Sequence, residues 1–140
     1  MVASGFSTTT MNAVLNNLFG QTASPTTATH YIRLCATVDK AGSVTGEPSG
    51  GSYAAVTVDN NHTTWTTAST ETLQNDIAFT FPAATGDWGT VSMFFIANHG
   101  TNTGSAVLAY GTLTVAKAIS SGDTASFAIG DLDVTMVVTT

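Results

Sequence analysis

The chain has 140 residues, 43% of them hydrophobic and 9% aromatic, which is enough for one domain with its own core. Only 9% of residues are charged, the net charge is −6, and the cations are three: Arg33, Lys40 and Lys117. Three scattered cations cannot neutralise a run of phosphates, which excludes nucleic acid and anionic membrane as partners.

An average soluble domain has roughly 25% charged residues, so the surface here is built from Thr, Ser, Ala, Asn and Gly. Short side chains lose little rotamer entropy on burial, whereas Lys or Arg lose up to ~2 kcal/mol each. Such a surface suits assembly against other protein. Adaptation to high salt or to the outside of a cell or virus is the other reading. The opening Met1-Val-Ala-Ser-Gly-Phe6 has no basic start or apolar run, so no signal peptide is expected. No stretch approaches the ~18 apolar residues of a membrane span.

In chain order, the first element is a helix. Met11, Val14, Leu15, Leu18 and Phe19 fall on one helical face. Ser7 or Thr8 can cap its start and Gly20 can end it. The opposite face carries Asn12, Asn16 and Asn17. A short helix is marginal alone, so its apolar face must dock, either on its own sheet or on a neighbouring subunit. Met11, Leu15, Leu18 and Phe19 are therefore candidate assembly contacts. Residues 1–29, ending in a Thr-rich connector with Pro25, read as an N-terminal arm, and 30–140 as a β-sandwich domain.

From His30 the pattern is strands and turns. Strands are expected at His30–Val38, Tyr53–Val58, Ile77–Phe81, Val91–Ala97, Ala106–Leu113, Ala125–Ile129 and Leu132–Val138, with weaker ones at His62–Trp65 and Val115–Ile119. Leu132, Val134, Met136 and Val138 alternate with polar residues. Val91-Ser-Met-Phe-Phe-Ile-Ala97 is apolar almost throughout, as befits a central strand covered on both sides. About seven to nine short strands with regular turns make a mainly β chain, an antiparallel sandwich of jelly-roll type with one N-terminal helix. Thr63 to Thr72 is the expected long loop.

Chemistry-bearing motifs are scarce. His30, His62 and His99 have no metal-type spacing, and no Gly-x-Ser-x-Gly occurs. Cys35, the only cysteine, sits in an apolar run, reads as a small buried hydrophobe, and is consistent with folding in a reducing cytoplasm. Asp87, Asp123, Asp131 and Asp133 lie at turns or strand starts, where a carboxylate usually accepts from backbone N–H groups of its own turn. Asn61-His-Thr63 matches a glycosylation pattern that a Thr-rich chain produces by chance. No cofactor, metal ion or catalytic residue is expected. Trp65, in its Thr-rich segment, is the aromatic candidate for an exposed contact.

Two segments stand out, Glu47-Pro-Ser-Gly-Gly-Ser-Tyr53 and Phe81-Pro-Ala-Ala-Thr-Gly-Asp-Trp-Gly-Thr-Val91. Each is a turn feeding an apolar strand. Gly50, Gly51, Gly86, Trp88 and Gly89 read as fold-determining turn residues. With Tyr31-Ile-Arg-Leu34, Leu108-Ala-Tyr-Gly-Thr-Leu113 and Ser121-Gly-Asp-Thr-Ala-Ser-Phe127, these segments make the chain resemble a family of small bacteriophage virion proteins, of tail-fibre or head-decoration type. The resemblance implies a non-enzymatic structural protein of the virion, made in the host cytoplasm and homo-oligomeric. Its partners would be the major capsid protein or tail proteins. It departs from the family at Phe95-Ile-Ala-Asn-His-Gly-Thr-Asn-Thr-Gly104, where a Gly-Ile-Phe-Asp-type sequence is usual. The absence of a projecting stalk favours a capsid decoration, or cement, protein. The alternative is a tail-fibre or baseplate component that touches host glycan.

Overall fold

A computed structural model of the chain describes residues 5–21, 27–101 and 107–136. The chain begins with β1 (Gly5–Phe6) and the helix α1 (Thr8–Leu18). Ser7 caps the helix as expected, its hydroxyl oxygen accepting from the Thr10 N–H. Gly20, at φ +72°, follows its end. The strands are then β2 (Thr29–Cys35), β3 (Thr37–Val38), β4 (Val44–Thr45), β5 (Val56–Asp59), β6 (Thr72–Gln74), β7 (Phe79–Thr80), β8 (Gly89–Ala97), β9 (Val107–Ile119), β10 (Ser126–Phe127) and β11 (Asp133–Thr135).

The fold is mainly β, with one helix and antiparallel pairing throughout. Five strands form one sheet in the order β1-β9-β8-β2-β5. The rest pair as ribbons, β7 with β10, β6 with β11 and β3 with β4. The β7–β10 and β6–β11 ribbons pack into one core and the β3–β4 ribbon into the other, so the five-stranded sheet is faced by short ribbons.

β8 lies at the centre of the large sheet, and its apolar sequence is explained by burial on both sides. Ile96 joins a core with Ile32, Leu34, Phe79, Phe81, Trp88 and Leu132. Met93, Phe95 and Ala97 join a second core with Cys35, Val38, Val107 and Tyr110. Phe94 and Phe95 therefore point to opposite faces, as adjacent strand residues must. Fully burying one such ring contributes roughly 1.5–3 kcal/mol.

Several expected boundaries shift. The strands expected on either side of Thr114 are one long strand, β9. Its partner pairs skip from Met93↔Thr112 to Val91↔Lys117, so Leu113–Ala116 bulge opposite Ser92, and Val115 stands 72% exposed. The segment His62–Trp65 is a turn, with one bridge from Trp65 to Asn75. The expected loop from Thr63 to Thr72 contains a tight reversal in which Ser69 bridges Thr72, while Thr70 and Glu71 take φ +49° and +65°. The far end of the 98–104 loop, the centre of the 21–29 connector and the strand end expected at Val138 lie outside the described residues.

Candidate functional site

The two Gly/Pro segments meet. The loop 47–53 lies against the loop 81–89, and the Trp88 indole N–H donates to the Gly51 carbonyl at 2.8 Å. The Thr85 backbone N–H donates to the same oxygen at 3.0 Å. Tyr53 stands edge-on to Trp88 (5.1 Å between centroids), and both rings neighbour Phe81. Gly51 has φ +53°, and a Cβ there would sit 2.8 Å from the Gly86 carbonyl oxygen, so the close approach requires glycine. Gly50 and Gly89 also take positive φ. These contacts lock the two turns against the core.

Beside them lies a buried ion pair that composition alone does not suggest. Arg33 on β2 grips Glu47 through Nε–Oε1 (2.7 Å) and Nη2–Oε2 (2.6 Å), with the two side chains 2% and 8% exposed. The Tyr53 hydroxyl also donates to Glu47, at 3.1 Å. Arg33 Nη1 donates to the carbonyls of His99 and Thr101, and the guanidinium lies over the Phe95 ring at 4.9 Å. Bidentate geometry and filled donors are the condition under which a buried pair is tolerated. Burial also raises the Tyr53 hydroxyl well above its ordinary value. It pushes the Cys35 thiol up to about 12, with Glu47 adding to the effect and Arg33 opposing it.

Asp123 and Asp131 accept from N–H groups of their own turns, as expected, while Asp87 reaches across to another turn. Asp87 accepts from the Ser121 N–H, Asp123 from Ser120 and Asp131 from Ala128. Asp133 instead accepts from the Gln74 side chain at 2.6 Å. Asn75, fully buried, is a junction that sequence reasoning missed. Its amide donates to the carbonyls of Ile77 and Ala128 and its oxygen accepts from the Leu132 N–H.

The assembly candidates separate. Leu15, Leu18 and Phe19 are 53%, 73% and 72% exposed, Met11 is half-buried, and no residue of α1 is buried. Among the described residues the apolar face of the helix is therefore left largely uncovered. Trp65 behaves differently from the expectation of an exposed contact. It is 8% exposed, edge-on to Phe79 (5.4 Å) and to His30 (6.4 Å), because the bridge to Asn75 draws it under the β6–β11 ribbon.

Trp65 nevertheless borders a cleft of about 340 Å³. Its apolar walls come from Phe6, Leu73, Ile96, Leu108, Ala109 and Val134, and its polar side chains from His30, Asn60, Asn61, His62 and Thr66. The Trp65 indole N–H is the one buried side-chain polar group with no hydrogen-bond partner among the described residues. Leaving such a donor unpaired costs about 1–3 kcal/mol. Burial holds the His30 imidazole below its ordinary pKa, and no Asp, Glu, Lys or Arg lines the cleft. No group of three or more His, Cys, Asp or Glu able to hold a metal occurs among the described residues. No helix among them is long and apolar enough to cross a membrane.

The chain belongs to the family described as Podophage GP4 fiber I protein gp80, whose profile matches residues 5–135. That match covers every described strand and the helix, and its fibre character fits the tail-fibre alternative better than capsid decoration. No curated protein matches the chain.

Proposed function

We propose that the protein is a non-enzymatic structural component of a phage fibre, assembled with other virion proteins and with further copies of itself, and that it contributes to contact with the host surface. The observation that carries this reading is the family match across residues 5–135. Two features of the molecule support it. Several side chains capable of acid, base or nucleophilic chemistry are engaged in structure: Glu47 holds Arg33, three turn aspartates hold backbone N–H groups, and Cys35 is buried with its thiol strongly disfavoured from ionising. The apolar face of α1, with Leu18 and Phe19 uppermost, offers an uncharged surface to a neighbour. The virion is the expected location, after synthesis in the host cytoplasm.

The test is position in the particle. Antibody-gold labelling of intact virions, together with an electron-microscopy map, is expected to place the chain on the fibres. Label distributed over the head lattice in stoichiometric copy would overturn the fibre reading and return the protein to capsid decoration.

A further inference from the structure

We propose that the open face of α1 pairs with the α1 of a second copy of this chain, the two helices running antiparallel. The proposal rests on the fibre reading, in which the chain assembles with itself, and names the element and geometry of that contact. Nothing described within one copy holds the outer half of the helix. It is 11 residues long, below the ~12–15 at which even a good isolated helix is marginal in water. Its Thr8, Thr9, Thr10, Asn12, Asn16 and Asn17 are weak helix formers. With no acidic residue in the first turn and no basic residue in the last, neither end gains from the macrodipole. Thr10, Met11 and Ala13 are half-buried, while every residue from Val14 to Gln21 is exposed. Leu15, Leu18 and Phe19 thus stand on turns that need a further apolar surface to stay helical.

Charge selects the occupant and its direction. Each copy carries a net charge of −6, yet no Asp, Glu, Lys or Arg precedes Arg33. Two copies that meet at α1 therefore avoid the like-charge repulsion that their acidic remainder imposes. One cation sits at this element. The Lys40 carbonyl accepts from the Thr8 N–H at 3.0 Å, which fixes Lys40 beside the helix N-terminus. A cation is disfavoured there and favoured at a C-terminus. Lys40 is exposed and makes no ion pair among the described residues, whereas the neighbouring Asp39 carboxylate accepts from the Ser43 N–H. In an antiparallel pair each Lys40 comes beside the last turn of the other helix, which has no basic residue of its own. Thr8, Leu15 and Phe19 share a face at i, i+7 and i+11, so that face meets its own reverse. A parallel pair would bring the two Lys40 ammonium groups together.

Sedimentation of the full chain over a concentration series is expected to show reversible dimers, with the helical signal in circular dichroism rising as they form. Leu18→Ser/Phe19→Ser should weaken association at least about tenfold. Lys40→Gln should weaken it about threefold or more at low salt, an effect that added salt reduces. Direction is read in a mixed sample. Copies carrying a spin label on Thr8→Cys, with Cys35 buried and so protected from the reagent, are combined with nitrogen-15 copies of the unaltered chain. The Leu18 and Phe19 amides of the nitrogen-15 copies are expected to broaden. Association weaker than about 1 mM, association untouched by either variant, or broadening confined to Thr8–Met11 would overturn the proposal. Gold label on the fibres with a monomeric chain would remove this inference and leave the fibre reading intact. Dimers paired through α1 with label over the head would do the reverse.

Discussion

The Trp88 indole N–H and the Gly51 carbonyl oxygen are 2.8 Å apart, joining loops that lie 37 residues apart in the chain. The bond closes over a contact that admits no side chain at Gly51, since a Cβ there would meet both the Gly86 oxygen and the Trp88 nitrogen. Gly51→Ala is expected to destabilise by at least the roughly 1–3 kcal/mol of a residue forced into left-handed backbone, with the loops also pushed apart. Trp88→Phe should cost nearer 1 kcal/mol for the bond itself, because Thr85 still donates to the same oxygen, plus whatever packing the smaller ring loses. Urea unfolding midpoints of the two variants check the order.

The Arg33–Glu47 pair makes a sharper prediction. Replacing one partner leaves the other charged and buried, at about 3–5 kcal/mol. Arg33→Met alone and Glu47→Gln alone should each fall in or near that range. The double variant Arg33→Met/Glu47→Leu should recover much of the loss, and a double-mutant cycle by chemical denaturation measures the coupling. Arg33→Met should also increase amide exchange near His99 and Thr101, whose carbonyls it holds.

Alkaline stability follows from Cys35 and Tyr53. Both have folded-state values raised by burial, so the folded chain keeps protons that the unfolded chain gives up. Their contribution is complete below the unfolded values of 9.0 and 10.0 and is lost as pH rises beyond them, through about 12 for Cys35. Tm is expected to fall with pH from about 9 upward, and Cys35→Ala should flatten the first part of that decline. His30 gives the opposite limb. Its lowered value means the unfolded chain binds a proton first, so stability drops as pH falls below 6.5.

The helix face predicts a separation of stability from assembly. Leu18→Ser/Phe19→Ser alters side chains that are more than 70% exposed, so folding should change by no more than about 0.5 kcal/mol per site. Incorporation into virions should fall severalfold, measured by quantitative blotting of purified particles. Deleting residues 1–20 is a poorer test. It also removes β1 from the sheet edge and the buried Ser7, whose N–H donates to the Leu108 carbonyl.

The helix and its cap were legible because a 3.6-residue apolar period and Ser7 are local signals. The two-sided burial of β8 was legible because no polar residue interrupts Met93 to Ala97. The Ser69–Thr72 reversal was not, since turns with two positive-φ residues usually carry Asn or Gly and this one carries Thr70 and Glu71. Arg33 left a partial signal, a charge inside the apolar run Tyr31 to Ala36 that demands a counter-ion, but nothing local pointed to Glu47. Trp65 was misplaced for a similar reason. Its Thr-rich neighbours describe a loop, while its burial follows from the bridge to Asn75, ten residues on.

With Arg33 sealed beneath the sheet by Glu47, the exposed charges of the chain are two lysines against eight carboxylates. The particle's outer skin therefore repels polyanions wherever this protein forms part of it. That repulsion fades over a Debye length of about 8 Å at physiological ionic strength. On the proposed fibre, approach to an acidic surface is therefore opposed at long range and eased by added salt.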